Sequence, residues 1–137
     1  MNIILKKLDK KKLVKNFIKI KNMSRISNWS FKNYNKNLPG KWEESIIVYN
    51  KINDEIVAFC ISSKNYNSLH IHLLIVSFKY QNLGIGTKIL QKLINRNNKN
   101  ITVKTYSNLK KTIRFYLKND FKIIKSNINT TFLKRNN

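Results

Sequence analysis

Residues 69–94 hold the pattern that most restricts the fold of this 137-residue chain. A strongly β-forming run, Leu69–Phe78, leads into a short polar loop and then into a helix with apolar residues at helical spacing. Two of the three glycines in the chain, Gly84 and Gly86, lie at that junction. Glycine adopts dihedrals that are closed to other residues and lets an anion approach the backbone. Amides at a helix start hold phosphate oxygens, so the junction predicts a site for a phosphate-bearing ligand.

Two common nucleotide motifs are excluded at this junction. No Gly-Lys-Ser/Thr follows, as a Walker A loop requires. There is also no third glycine and no acidic residue about 20 positions on, as a dinucleotide fingerprint requires. The sequence therefore favours a ligand other than ATP or NAD. The open alternative is a tight strand-to-helix turn that binds nothing.

The remaining elements predict one domain over residues 1–137, since no repeat or linker divides the chain. Single strands and hairpins alternate with helices, which predicts an α/β (α+β mixed) fold with a mixed sheet and helices on its faces. The predicted elements are a strand at 2–8, a helix at 10–21, an irregular aromatic segment at 22–44, a hairpin at 45–62, strands at 69–78 and 101–105, helices from 85 and at 109–118, and closing strands at 121–125 and 130–134.

Two segments resemble the GNAT superfamily of N-acyltransferases. The strand followed by Gln81-x-x-Gly84-x-Gly86 is similar to the acetyl-CoA signature of that family, and the run from Phe115 to Phe121 is similar to its Phe-Tyr-x-x-x-Gly-Phe. The resemblance implies a twisted, mostly antiparallel sheet of six to seven strands flanked by about four helices. It also implies an acetyl-CoA-dependent N-acetyltransferase in which the amine attacks the thioester directly in a ternary complex.

The resemblance implies a role for individual positions. Backbone groups near Leu74 and Val76 would pair with the pantetheine arm of acetyl-CoA, and Tyr116 would protonate the departing CoA thiolate. A family position that often holds a pantetheine-binding Asn is Leu109 here, and Asn108 lies one residue earlier. The residues implied in the pyrophosphate loop are Gln81, Asn82, Leu83, Gly84, Ile85, Gly86 and Thr87.

One family position differs in a way that predicts a backbone conformation. The Gly before the final Phe is Asp120 here. We therefore expect Asn119 or Asp120 to end the helix in a left-handed conformation, which both residue types tolerate.

His70 and His72 are the two histidines of the chain and alternate on one predicted strand, so both should face the same side of the sheet. An amine must lose a proton before it attacks a thioester, and imidazole suits that task. The spacing resembles the His-x-His of arylalkylamine (serotonin-type) N-acetyltransferases. The alternative is a pair of polar residues at a core edge. A zinc site is not expected, because no third histidine or second cysteine is present.

The resemblance implies an acceptor site between segment 22–44 and the hairpin at 45–62. Trp29, Phe31, Tyr34 and Trp42 could form an aromatic slot for an aryl ring or an ammonium group, or could pin the segment to the core. The expected acceptor is a small primary amine (an arylalkylamine or a polyamine) or a protein lysine. We expect Cys60 to be a side chain packed in a buried strand and not a nucleophile.

The net charge of +22 suggests polyanionic partners. A catalytically inactive basic module that binds nucleic acid is therefore the alternative function. A genome rich in A/T codons also explains much of the lysine content. No apolar run is long enough to cross a bilayer, and no signal peptide is expected. We expect a cytoplasmic monomer or homodimer with no membrane partner, and a nuclear location is the alternative.

Overall fold

A computed structural model describes residues 2–24, 28–96 and 99–137. The helices and strands follow in the order β1 (Ile3–Lys7), α1 (Lys10–Lys15), α2 (Phe17–Met23), α3 (Phe31–Asn35), α4 (Lys41–Glu44), β2 (Ile46–Asn50), β3 (Ile56–Lys64), β4 (Ser68–Val76), α5 (Ile85–Arg96), β5 (Asn100–Tyr106), α6 (Lys110–Lys118), β6 (Lys122–Ser126) and β7 (Thr130–Arg135). A short 3-10 turn at Phe78–Tyr80 follows β4.

The described strands form one seven-stranded sheet in the order β1-β2-β3-β4-β5-β7-β6. All neighbours are antiparallel except β4 and β5, which are parallel. The predicted mixed, mostly antiparallel sheet is therefore confirmed. The described residues contain six α-helices, whereas the resemblance implied about four. The three helices located from the sequence become six because the helix predicted at 10–21 is divided and two short helices interrupt the aromatic segment.

The division of the first helix occurs at Asn16. Its side-chain amide donates a hydrogen bond to the carbonyl of Lys12 at 2.9 Å, and its backbone N–H donates to the same carbonyl. A side chain that bonds its own preceding turn offers the backbone an alternative to continuing the helix. The apolar residues Leu13, Phe17 and Ile20 still pack on one side of the sheet, which is why their spacing looks continuous.

Two apolar cores lie on opposite faces of the sheet. One contains residues of α5 and α6 packed on Leu69, Ile71 and Val103. The other packs α1, α2 and Tyr34 against Phe59 and neighbouring strand residues. Burial of apolar area on both faces is the main favourable contribution to folding.

The strand β4 carries a bulge at His72. Ile61 is in register with Leu73 but Ser62 is in register with Ile71, so His72 has no register partner on β3. A bulge of this kind changes which face the following side chains occupy. Leu74 and Val76 therefore pack with the same core as Leu69 and Ile71, which simple alternation does not predict.

The buried ammonium of Lys41 anchors the aromatic segment. Its side chain is fully buried, and Nζ donates to the carbonyls of Tyr34 and Lys36 and lies 4.5 Å from the Trp42 ring centroid. Burial, followed by the charge of Lys10, lowers the Lys41 pKa to about 8. Two carbonyls and an aromatic face thus satisfy a charge that has no carboxylate partner among the described residues.

Candidate active site

A cleft of about 960 Å³ lies where β4 and β5 diverge. The two strands pair only from Ser68 to Ile71 on β4 and from Asn100 to Val103 on β5. Beyond that point their facing edges separate. Residues from both faces of the sheet line the cleft. The lining includes His70, His72, Leu74, Val76, Gln81, Lys104, Tyr106, Leu109, Thr112, Tyr116, Trp29 and Thr130. Its size suits a ligand as large as a cofactor.

The β4 edge that faces the cleft carries unpaired backbone groups. The N–H of Ser77 donates to the Val57 carbonyl of β3 at 2.8 Å. Because successive residues of a strand point their N–H groups to opposite edges, the amides of Leu74 and Val76 face the cleft. Gln81 Nε2 donates to the Val76 carbonyl at 3.0 Å on that same edge. This edge can accept an extended amide-containing chain as an added strand.

The loop after β4 leads directly into the first turn of α5. Asn82 and Gly84 have positive φ angles of 63° and 82°, so the predicted need for glycine holds at Gly84. The first backbone bond of α5 runs from the Lys88 N–H to the Gly84 carbonyl. The amides of residues 85–87 therefore have no acceptor within the helix, as at any helix start. These groups can receive phosphate oxygens.

Gly86 makes room for a side chain of a neighbouring helix. A Cβ atom there would lie 3.0 Å from Cζ of Phe115 on α6. The missing side chain therefore lets Phe115 of α6 pack closely against α5. The anion-binding role that the sequence suggests for Gly86 remains a prediction. Sequence reasoning did not connect the two residues because they are distant along the chain.

The predicted cofactor-binding residues occupy three kinds of position. Leu74, Val76 and Gln81 line the cleft. Residues 82–87 form the adjoining loop and helix start without lining it. Asn108 is exposed and lies outside the lining, whereas its neighbour Leu109 belongs to it.

His70 and His72 lie together at the cleft. Their ring centroids are 4.9 Å apart at an interplanar angle of 80°. His70 Nδ1 shares a hydrogen bond of 2.8 Å with Thr102 Oγ1, and His72 Nε2 shares one of 2.7 Å with Ser63 Oγ. The hydroxyl partners fix both rings while leaving the other nitrogen of each outside these bonds.

Both imidazoles are held neutral. Burial, followed by the charges of His70 and Lys41, lowers the pKa of His72 to about 4. Burial, followed by the charge of Lys104, lowers the pKa of His70 below its usual value. Both rings therefore present neutral nitrogens near pH 7.

Tyr116 reaches the cleft from the opposite face, on α6. Its ring packs at 5.1 Å centroid separation against Phe115 and also against Phe121, and its side chain is buried. Burial, followed by the nearby Cys60, raises the pKa of the phenol above its usual value. The phenol is therefore a proton donor throughout the physiological range.

A protein-family model for the GNAT acetyltransferase family matches residues 14–121, most of the chain. The chain belongs to the GNAT acetyltransferase family. A comparison with curated proteins found no matching sequence. The predicted GNAT resemblance is thus confirmed at the level of the family.

Solved structures show the same GNAT fold at low sequence identity. Arabidopsis thaliana Naa50 in complex with the bisubstrate analogue CoA-Ac-MVNAL is 18% identical, with 100% of each chain covered and a TM-score of 0.76. The NatC complex bound to Gag peptide and CoA is 19% identical. The match covers 100% of this chain and 99% of that chain, with a TM-score of 0.83. The ribosomal-protein-S18-alanine N-acetyltransferase of Escherichia coli is 15% identical. The match covers 97% of this chain and 92% of that chain, with a TM-score of 0.76.

The 3-10 turn that follows β4 is tied to the β2–β3 turn. Tyr80 Oη donates to Glu55 Oε2 at 3.0 Å, and Asn50 Nδ2 donates to the same phenol oxygen at 3.0 Å. Lys79 Nζ lies 2.7 Å from Glu55 Oε1. Sequence reasoning missed this cluster, since no local pattern connects residues 50–55 with 79–80.

The four aromatic residues predicted to form a slot or to pin the segment are placed as follows. Trp29 lines the cleft, 6.0 Å from the His72 ring, and its ring lies 5.3 Å from that of Tyr34. Phe31 packs at 4.8 Å on Phe17, and Tyr34 is buried. Phe31 and Tyr34 therefore help to fix the segment to the core, and Trp29 extends this aromatic contact to the cleft.

The chemistry of the remaining groups is limited. Cys60 is buried, and burial raises the pKa of its thiol to about 12, which disfavours a thiolate nucleophile. The described residues contain no cluster of three or more His, Cys, Asp or Glu side chains able to hold a metal ion. In the same described ranges, no helix is long and apolar enough to cross a bilayer.

Proposed function

We propose that this GNAT acetyltransferase transfers the acetyl group of acetyl-CoA to a primary amine by direct attack in a ternary complex. One observation carries the proposal. The divergence of β4 from β5 brings unpaired strand amides, two imidazoles and one phenol to a single cleft. Acetyl-CoA supplies an activated thioester there, and the unpaired amides of Leu74 and Val76 fit its amide-containing arm.

Each part of the cleft has one task in this proposal. The β4 amides orient the thioester carbonyl. The attacking nitrogen forms the new C–N bond as the C–S bond breaks. The nitrogen loses its proton by way of His70, His72 and solvent, and Tyr116 donates its proton to the departing sulfur. Tyr116 is restored by a proton from water.

The low pKa of His72 bears on the acceptor. A base with a pKa of about 4 passes protons onward but does not remove one from a stable ammonium ion. An amine that is already partly neutral near pH 7 is therefore favoured. A peptide α-amine has a pKa of about 7.7–8.0, whereas a lysine ε-amine has one of about 10.4. A free peptide N-terminus thus supplies several hundred times more neutral amine than a lysine does at the same pH.

Similar structures support the same choice. Naa50 was solved with a bisubstrate analogue carrying the peptide MVNAL, NatC with a Gag peptide, and the Escherichia coli relative is named for the alanine of ribosomal protein S18. We therefore place a peptide α-amine ahead of the arylalkylamine, polyamine and lysine acceptors expected from the sequence. The proton-relay role that the His-x-His resemblance suggested is retained.

Thiol release from acetyl-CoA tests this proposal. The panel consists of a peptide with a free N-terminus, the same peptide N-terminally blocked but carrying an internal lysine, tryptamine and spermidine. We expect the free N-terminus to give the highest kcat/KM. The blocked peptide is its matched control.

The panel also tests the alternative function. No thiol release with any amine, together with nucleic-acid binding that weakens steeply with salt, would support a basic binding module instead. Fastest release with tryptamine or spermidine would keep the transferase and reject the peptide acceptor.

A further inference from the structure

The carboxylates of this chain are all placed away from the cleft. The sequence contains six Asp and Glu residues, and none of them is among the residues that line the cleft. Their positions are Asp9 at the N-cap of α1, Glu43 and Glu44 on α4, Asp54 and Glu55 in the β2–β3 turn, and Asp120 after α6. The cleft therefore offers no carboxylate to attract a cationic acceptor.

Lys104 is the charged side chain in the described part of the cleft lining. It is the one Lys, Arg, Asp or Glu among the described lining residues. It forms no ion pair and no side-chain hydrogen bond within the described ranges. Its ammonium is exposed and available to a ligand.

Lys104 lies on the same face of β5 as the histidine partner Thr102. Thr102 Oγ1 bonds His70, and Lys104 follows two residues later, so both side chains point to the histidine face. The charge of Lys104 also acts on His70. Two residues of strand span about 7 Å, which is also the span of two residues of an extended acceptor peptide.

We infer that the acceptor is a peptide whose α-amine is followed by an acidic residue at its second or third position, and that Lys104 pairs with that carboxylate. This inference rests on the proposed transfer to a peptide α-amine. An amine placed at His70 and His72 puts the side chains of the next two residues beside Lys104. The net charge of +22 attracts such a peptide over longer range. A lysine-rich peptide or a polyamine meets like charge instead.

Three peptides that differ at two positions test the inference. They begin Ser-Asp-Glu, Ser-Asn-Gln and Ser-Lys-Arg and share the remaining sequence. We expect kcat/KM to fall about fivefold from the acidic to the neutral peptide, which is the size of one well-placed exposed ion pair. The basic peptide should be poorer still, and the differences should shrink as salt screens the charges.

Charge reversal at residue 104 tests whether Lys104 causes the preference. Lys104→Glu should abolish or invert the acidic preference, and Lys104→Gln should remove it, the readout in both variants being the ratio of kcat/KM between peptides. Lys122→Glu is the matched control, since it makes the same charge change at an exposed β6 position outside the cleft lining. It should leave the ratio between peptides within about twofold, as expected for a distant surface charge.

Two results would overturn the inference while leaving the transferase intact. One is equal kcat/KM for all three peptides or a preference for the basic one. The other is an acidic preference that survives in Lys104→Glu. Failure of the wild-type protein to acetylate any of the three would overturn the peptide acceptor itself, and activity toward tryptamine or spermidine would then show that the transferase remains.

Discussion

Tyr116→Phe is expected to lower kcat about 100-fold, which is at the lower end of the rate effects caused by loss of a positioned general acid. The thiolate must then leave without a proton from the enzyme. The variant keeps the ring that packs against Phe115 and Phe121, so stability should change little. Its Kd for acetyl-CoA should remain within about twofold, since the change removes no β4 amide. Thiol release gives kcat, and calorimetry gives Kd.

Tyr66→Phe is the matched control for this experiment. Tyr66 is 94% exposed and does not line the cleft, so loss of its hydroxyl should leave kcat unchanged. Because burial raises the pKa of Tyr116, wild-type kcat should not decline through phenol ionisation up to about pH 9.5. A Tyr116→Phe variant with wild-type kcat across that range would refute the acid role.

Acidification should destabilise the protein through His72. The pKa of His72 is about 4 in the folded protein, whereas the ordinary value, which we take for the unfolded chain, is 6.5. As the pH falls, the unfolded chain therefore binds the proton before the folded protein does. The stabilisation is fully present above pH 6.5 and is lost as pH falls through 4. Because the His72 ring is only partly buried and solvent screens it, we expect a loss of about 1–2 kcal/mol of unfolding free energy, less than the full pKa difference implies. His70 adds to the loss in the same direction.

Urea unfolding at pH 7 and pH 4 measures this effect. His72→Asn keeps a polar group near Ser63 but cannot titrate, so its unfolding free energy should fall about 1–2 kcal/mol less over the same interval. His70→Asn is the comparison variant and should reduce the acid dependence as well, since the pKa of His70 is also lowered. Identical acid dependence in the wild type and His72→Asn would show that His72 is not held neutral by the fold.

Local patterns predicted most of the fold. Strand and helix periodicity located the β2–β3 hairpin, β4, α5 and α6 within a few residues. The expected left-handed residue is Asp120, with a φ of 68°. These features depend on neighbours within one element or turn, which is why the sequence predicts them.

The missed features depend on contacts between distant parts of the chain. The bulge at His72 is set by its pairing with β3, and the close packing at Gly86 is set by Phe115. The buried ammonium of Lys41 depends on two carbonyls of the preceding turn. A local pattern shows the residue types but not these partners.

The candidate site was predictable only in part, because some of its residues are recognised by their type and others only by their position in the fold. His70, His72 and Tyr116 carry recognisable chemistry, and the structure brings all three to the cleft. Lys104 looks like any other lysine in a chain with 28 Lys and Arg residues. Its significance appears only when the register of β4 with β5 places Thr102 opposite His70, with Lys104 two residues further along the same face of β5.

Backbone hydrogen exchange on β4 tests the central claim most directly. If acetyl-CoA lies against the free edge of β4, saturating acetyl-CoA should slow exchange at the amides of Leu74 and Val76 at least tenfold, as new hydrogen bonds protect them. The Ser77 amide, already bonded to Val57, is the internal control and should change little. Tight binding of acetyl-CoA with unchanged exchange at Leu74 and Val76 would contradict the account.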